Sequence, residues 1–524
     1  MPITSAILQV AEHDPGRLAI VGEGSQGRLS HLTYSELVEL SRRTFAVVDG
    51  LHRDQANPPV PAPETGGIPI SAVSVDSAFA AARFVGALAG YRAVSATIDP
   101  RWPLEHRVNV VLATGIGVIV SDSRDLAAAL AERGWGGTLV SLAEFERLEA
   151  EAAPVPAPSV RDGDEAFLLL FSSGTTSSPK AFLKTRQQYR DNVAVSSAHL
   201  DPLPGVVTFA PGPVSYSLTL YAVIECLATG GTVHVADQFD PFAVAARVRD
   251  ESITRIVAVP AVVRALTDAA RRDPQAFARL DLVITGGANL PRSLREGLAR
   301  VLPAARLISY YGAAEIGFIG DSRGGDGTSI RVYPSIAASV RDEVGSELPS
   351  GEPGTLWIRA AACSDGYLAG TTDEVLRGAD GWATVHDQAR MVDGELQLLG
   401  RAGDIAVTGG HKVSLVEVER AFDGMPGLAA VCAVALPHFT LGSIVALVVE
   451  VPRLDTGSGE VRPGVGDAVP LGRATLVDWA TARLAPQYVP RRWFRLDALP
   501  RTVGGKVRRN ETAERVLDGS AVQL

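Results

Sequence analysis

Lysine is nearly missing from this chain. It occurs only at Lys180, Lys184, Lys412 and Lys506, so arginine supplies 45 of the 49 basic residues. Cysteine is as scarce: Cys226, Cys363 and Cys432 stand far apart in apolar settings, which excludes a disulfide framework and predicts buried thiols in a reducing compartment. No apolar run reaches the roughly 18 residues of a membrane-crossing helix, and no secretory pattern follows Met1, so a cytoplasmic protein without membrane insertion is expected. An excess of positive charge is also lacking. At a net charge of −10 the chain has no bulk attraction for nucleic acid or an anionic membrane, and any phosphate it binds must meet locally placed cations.

What is present is 524 residues, 46% of them hydrophobic, enough for more than one core. "LTYSELVELSRRTFAVV" follows a Thr/Ser start signal with an amphipathic helical pattern. "QANPPVPAPETGG" and "EAAPVPAPSVRDGD" are proline-rich breaks. Beyond residue 160, Val/Ile-rich runs such as "GVVTFA", "GTVHVA", "RIVAVP" and "DLVITGG" alternate with helical segments such as "AVVRALTDAARR", the pattern of parallel α/β layers. After about residue 335 the texture turns hairpin-like, in "GTLWIRAAACSDGYL" and "GELQLLGRAGD". A last unit from about Arg401 mixes strand ("VCAVALP", "SIVALVVEV") with helix ("LVEVERAFD", "ATLVDWATARL"), and "RLDTGSGEVRPGVGDAVPLG" is a glycine-rich loop within it.

"FSSGTTSSPKAFLK" crowds hydroxyls, a glycine and a lysine between the strand-length run "EAFLLLF" and the helical "TRQQYRDNVAVSSAHL". No lysine fits the spacing of a Walker-type phosphate loop. The donors of Gly174, Thr175, Thr176, Ser177 and Ser178, with Lys180 beyond Pro179, are nonetheless a grip suited to a polyphosphate. Alone, the stretch would read sooner as a flexible Ser/Gly linker. Lysine acts on phosphate as a point charge, and two of the four lysines lie in such loops, at "SSGTTSSPK" and "VGGK".

The loop resembles the signature [YF]-[TS]-S-G-T-T-G-x-P-K of the adenylate-forming superfamily, which comprises acyl-CoA synthetases, nonribosomal-peptide adenylation domains and luciferases. Further blocks follow in family order across nearly the whole chain. The resemblance implies ATP as substrate with Mg²⁺, held by Ser172, Ser173, Gly174, Thr175, Thr176 and Lys180. "ITGGANLPRSL" is similar to the family's adenine turn, here Gly286, Gly287 and Ala288. "YYGAAE", Tyr310 to Glu315, resembles Y-G-x-T-E, with Tyr311 stacking on adenine, Gly312 and Ala313 beside it, and Glu315 and Thr176 on the metal. Ala314 stands where the family usually has a hydroxyl. Asp387 would accept the ribose hydroxyls, and Arg401 would contact ribose or phosphate. "VPRRWFRLDALPRTVGGKVRRN" resembles the C-terminal P-x-T-x-x-G-K block, making Lys506 the catalytic lysine beside Thr176 and Glu315. The implied fold is α/β: a large N-terminal domain (1–402) of layered α/β sheets with a small β-rich subdomain, then a small mobile α+β domain (403–524) hinged at Gly403.

The implied chemistry is attack of an acid on the α-phosphate of ATP, release of pyrophosphate, and transfer of the acyl group from the adenylate. Ser217 aligns where amino-acid-activating relatives carry an ammonium-binding aspartate, so an α-amino acid is not expected. Tyr216 takes the place of an aromatic gate, and Val214, Tyr216, Gly286 and Ala313 suggest an apolar aryl or acyl acid. CoA is the expected acceptor. In "HKVSLVE", Lys412 and Leu415 replace the usual Asn and Pro, which keeps an amine or a carrier-protein thiol open as acceptors, and a small oxyacid such as nitrite open as substrate. No carrier-protein sequence follows Lys506, so a free-standing ligase is expected. A nucleotide sensor without activity is the competing class.

Overall fold

The computed structural model describes residues 3–24, 29–172, 179–288, 290–325, 327–408, 411–450, 472–502 and 505–524. The helix anticipated after Thr33 runs Tyr34–Arg53. Thr33 caps it by accepting from Glu36 N–H while the Glu36 carboxylate accepts from Thr33 N–H, so two of the otherwise unpaired donors are satisfied reciprocally. Thr185 and Gln188 repeat the device at the helix Arg186–His199. The glycine-rich loop anticipated after Arg453 lies outside the described residues except at its last glycine.

Three sheets organise the chain. One has six strands in the order Thr138–Val140, Ile116–Ser121, Ile70–Ser74, Val94–Thr97, Ala166–Phe171 and Ala181–Thr185, parallel except for the last. That last strand, "AFLKT", stands between the hydroxyl-rich loop and the helix, and no separate pattern of residues marks it. The second sheet has 13 strands. Its parallel part runs Leu18–Glu23, Thr232–Val235, Val207–Ala210, Arg255–Ala258, Leu282–Thr285 and Arg306–Ala313. Past Arg306–Ala313 it turns antiparallel and continues into the hairpin-rich region, where Asp387–Val392 pairs with Glu395–Arg401.

The third sheet begins with Ile405–Thr408 and carries Ala430–His438, Gly442–Glu450 and Arg492–Leu496, with short helices against it. Large N-terminal sheets and a small C-terminal α+β unit thus match the expected fold class. Within the larger part, Arg255 and Glu225 form a fully buried ion pair at 2.7 Å, tying a strand to the helix Ser217–Thr229. Among the described residues no helix is long and apolar enough to cross a membrane. All three cysteines are free and buried, as anticipated.

Candidate active site

The strands Ala166–Phe171 and Ala181–Thr185 run antiparallel, and Ser172 N–H donates to the Lys180 carbonyl at 2.8 Å, closing the base of the loop between them. Ser173, Gly174, Thr175 and Thr176 lie outside the described residues; Ser172 and Lys180 flank them. Among the described residues the buried Ser172 hydroxyl has no hydrogen-bond partner. Lys180 pairs with Glu374, its ammonium 5.4 Å from the Tyr367 ring centroid, and Glu374 also faces His386 Nε2 at 3.7 Å.

The strand Leu282–Thr285 ends at Gly286, where an added Cβ would come within 2.4 Å of the Tyr310 ring. Gly287 follows at φ 77°, a left-handed backbone that glycine adopts without strain, and Ala288 beyond it is exposed. The neighbouring strand Arg306–Ala313 carries Tyr310, Tyr311, Gly312 and Ala313 to the same edge. Asp387 and Arg401 are cross-strand partners, so register alone sets them side by side. Arg401 Nε lies 3.4 Å from Asp387 Oδ1, and the Tyr311 hydroxyl donates to Asp387 Oδ2 at 2.5 Å. Burial, then the Asp387 charge, push the Tyr311 phenol well up, so it stays a donor at neutral pH.

Glu315 ends this turn with 7% of its surface exposed. Its Oε1 accepts from the Tyr367 hydroxyl at 3.1 Å, and among the described residues no cation pairs with its carboxylate. Its backbone carbonyl accepts from Ser364 N–H at 2.8 Å and from Lys184 Nζ at 2.7 Å. Ala314 packs against the main core instead of offering a hydroxyl.

Lys506 sits on a hairpin-like turn closed by Thr502 N–H to the Lys506 carbonyl at 2.7 Å and Lys506 N–H to Thr502 Oγ1 at 3.1 Å. Its side chain keeps exposed surface, yet surrounding protein lowers its pKa, with Arg401 adding to the shift; Asp404 and Asp387 pull the other way. The charges of Asp387 and Arg401 are thus within electrostatic reach of Lys506. Tyr216 precedes the helix Ser217–Thr229, and burial followed by the Asp99 carboxylate push its phenol up to about 12, with Arg101 and Arg508 opposing. Ser217 is exposed and Val214 is buried in the core.

Gly403 lies in the short 3₁₀ turn Ala402–Asp404, and an added Cβ there would meet nothing within 4 Å. This conformer therefore does not itself require a glycine. Asp404 does the holding: its Oδ2 accepts from Arg401 N–H at 3.0 Å and its Oδ1 from Arg509 Nε at 2.6 Å. Burial works against its charge, but Arg509 and Arg401 N–H keep its carboxyl below the usual range.

Reasoning from sequence passed over Lys184, Tyr367 and Glu374. Lys184 carried a usable signal, being one of four lysines and lying in a strand-length apolar run. Tyr367 and Glu374 sit in irregular segments without periodicity, where only the fold brings them to Glu315 and Lys180.

A family model described as AMP-binding enzyme matches residues 77–368. The chain is 26% identical over 97% of its length and 97% of the partner's to an uncharacterised acyl-CoA ligase, YhfT, of Bacillus subtilis. It is 30% identical, over 76% of its length and 69% of the partner's, to a salicylyl-CoA synthase/salicylate adenylyltransferase of a Streptomyces species. Its fold superposes on ATP-bound MatB from Rhodopseudomonas palustris with a TM-score of 0.82, at 22% identity, covering 99% of both chains. With more than half of its length matched by that model, the chain belongs to the AMP-binding enzyme family.

Proposed function

We propose that the chain is an AMP-forming acid:CoA ligase acting on an apolar aryl or acyl acid, with a 1–402 domain that binds ATP and a 403–524 domain that turns about Gly403. The observation that carries this reading is the cross-strand Asp387–Arg401 pair with the Tyr311 hydroxyl donating to Asp387, four residues before Glu315, and with Lys506 within electrostatic reach of both charges. Asp387 accepts the ribose hydroxyls and Arg401 contacts ribose or phosphate. Tyr311 stacks on adenine beside Gly286, Gly287 and Ala288, while Lys180 exchanges Glu374 for phosphate oxygens. Lys506 neutralises charge that builds at the α-phosphorus as a carboxylate oxygen attacks and the bond to pyrophosphate breaks. In the second step a thiol sulfur attacks the acyl carbon, AMP leaves, and the thiol proton is lost to solvent.

The residues present fit Mg²⁺. Among the described residues Glu315 offers a buried carboxylate without a cation, Ser172 a buried hydroxyl without a partner, and no three His, Cys, Asp or Glu side chains gather. That donor set suits an ion taking most of its oxygens from phosphates and water. When bound, Mg²⁺ would screen and orient the phosphate oxygens.

Two relatives support the acceptor and the acid class: the Bacillus protein is named an acyl-CoA ligase and the Streptomyces one a salicylyl-CoA synthase. The buried free thiols suit a reducing cytoplasm. The test is pyrophosphate release from Mg·ATP across aryl and fatty acids, with mass spectrometry of products after adding CoA, simple amines or a carrier protein. Acid-dependent release and a CoA thioester are expected. Acid-independent ATP turnover, or an amide formed with no thioester, would overturn the reading.

A further inference from the structure

Lys184 is a charged side chain in a place that ordinarily excludes one. It lies on the strand Ala181–Thr185 with 3% of its surface exposed, between apolar Leu183 and the capping Thr185. Burying an ammonium is costly unless its donors are met. Among the described residues no carboxylate pairs with it; its Nζ donates instead to two backbone carbonyls, Glu315 at 2.7 Å and Ala362 at 2.6 Å. Desolvation draws its pKa down to about 8, and the groups facing it, Cys363, Glu315 and Asp365, only partly oppose the shift.

The two carbonyls belong to separate segments, and both bear on Glu315. Ser364 N–H shares the Glu315 carbonyl at 2.8 Å, while the Ser364 hydroxyl donates to the Leu183 carbonyl at 2.8 Å, beside Lys184. Three residues on, Tyr367 donates to the Glu315 carboxylate at 3.1 Å, and Phe182 pairs with Tyr367 across an isolated β-bridge. Glu315 is thus gripped at its backbone and at its carboxylate by groups anchored on the strand that leaves the phosphate loop.

We propose that Lys184 is a positioning residue that registers the Glu315 carboxylate against the strand Ala181–Thr185, by clasping the Glu315 and Ala362 carbonyls; this rests on reading Glu315 as the metal-facing acid. Removing a group that orients a metal ligand typically costs about 10- to 100-fold in metal affinity or activity. The alternative, an ammonium that only holds segments together, would lower stability and leave the metal alone.

A double-mutant cycle separates the two. Lys184→Met, Glu315→Gln and the pair are compared by the Mg²⁺ concentration that half-saturates thermal stabilisation by a non-hydrolysable ATP analogue, alongside the adenylation rate. Lys184→Met is expected to raise half-saturation about tenfold or more, and the pair should be no worse than Glu315→Gln alone. Lys184→Gln, which keeps a donor, should recover part of the loss. Lys184→Met that melts earlier but binds Mg²⁺ as before, or losses that multiply in the pair, would overturn the proposal while leaving the Glu315 reading intact. Glu315→Gln without effect on Mg²⁺ would overturn both. If neither Lys184→Met nor Lys184→Gln yields folded protein, the lysine is architectural and the proposal fails.

Discussion

The surrounding protein and the Arg401 charge lower the Lys506 pKa while Asp404 and Asp387 oppose them, so its charge state answers to its neighbours as well as to solvent. Lys506→Ala is expected to slow adenylate formation by about 10²–10³-fold, the usual loss for one group aimed at developing charge, while ATP binding persists. A nucleotide sensor would lose little; pyrophosphate release and analogue binding measured together decide. Because the Lys506 pKa is lowered, adenylation should fall with rising pH before an ordinary lysine, near pH 10.4, would deprotonate. Lys506→Arg should move that alkaline limb upward, at whatever residual rate remains. Lys184 gives a different pH signature. Its folded pKa of about 8 lies below its unfolded value, so the unfolded chain binds more protons between the two. Its burial therefore costs stability fully below pH 8, and stability recovers as pH rises toward the unfolded pKa. The difference between wild type and Lys184→Met in denaturant unfolding should trace that rise, and a flat difference would contradict it.

Elements of this fold begin where short polar motifs say they should. Thr33 and Thr185, each followed three residues later by Glu36 or Gln188, open helices with reciprocal caps. Thr33→Ala should cost about 1 kcal/mol in denaturant unfolding. At the junction of the second and third sheets, two nearby glycines behave differently. Gly400 has φ 114°, and a Cβ there would stand 3.0 Å from Val416 Cγ2 and 3.1 Å from Asp404 Cβ, so Gly400→Ala should disrupt the turn that Asp404 holds. Gly403 has open space, so Gly403→Ala should leave stability within about 0.5 kcal/mol. It should slow acyl transfer more than adenylation if the backbone turns there. Single-turnover rates of the two half-reactions would show the split, and equal slowing would argue against Gly403 as the hinge.

Across the whole molecule, the last unit docks on the larger part through a helix end. The helix Arg292–Val301 has no side-chain cap of its own, and Asp423 supplies one from the other unit, accepting from Ser293 N–H at 3.1 Å and from the Ser293 hydroxyl at 2.5 Å. A carboxylate at a helix N-terminus is favoured by the unpaired N–H groups and the helix dipole. Asp423→Ala should loosen the arrangement of the two units that brings Lys506 within electrostatic reach of Asp387, lowering adenylation while sparing transfer from a supplied adenylate. Equal loss in both half-reactions would show instead that Asp423 serves stability alone.

Much of this was legible from residues in order. Alternating Val/Ile runs and 3.6-period helices marked the layers, and capping motifs marked helix starts, because both depend on near neighbours along the chain. The order of the short motifs pointed to the family, and Asp387 and Arg401 prove adjacent because a hairpin register makes them so. Only the tertiary structure decided that "AFLKT" is an edge strand with a buried ammonium, that Tyr367 and Glu374 serve Glu315 and Lys180, and that Asp423 caps a distant helix. Each of these contacts joins segments remote in sequence, and its free energy comes from desolvating and pairing polar groups that no local period records.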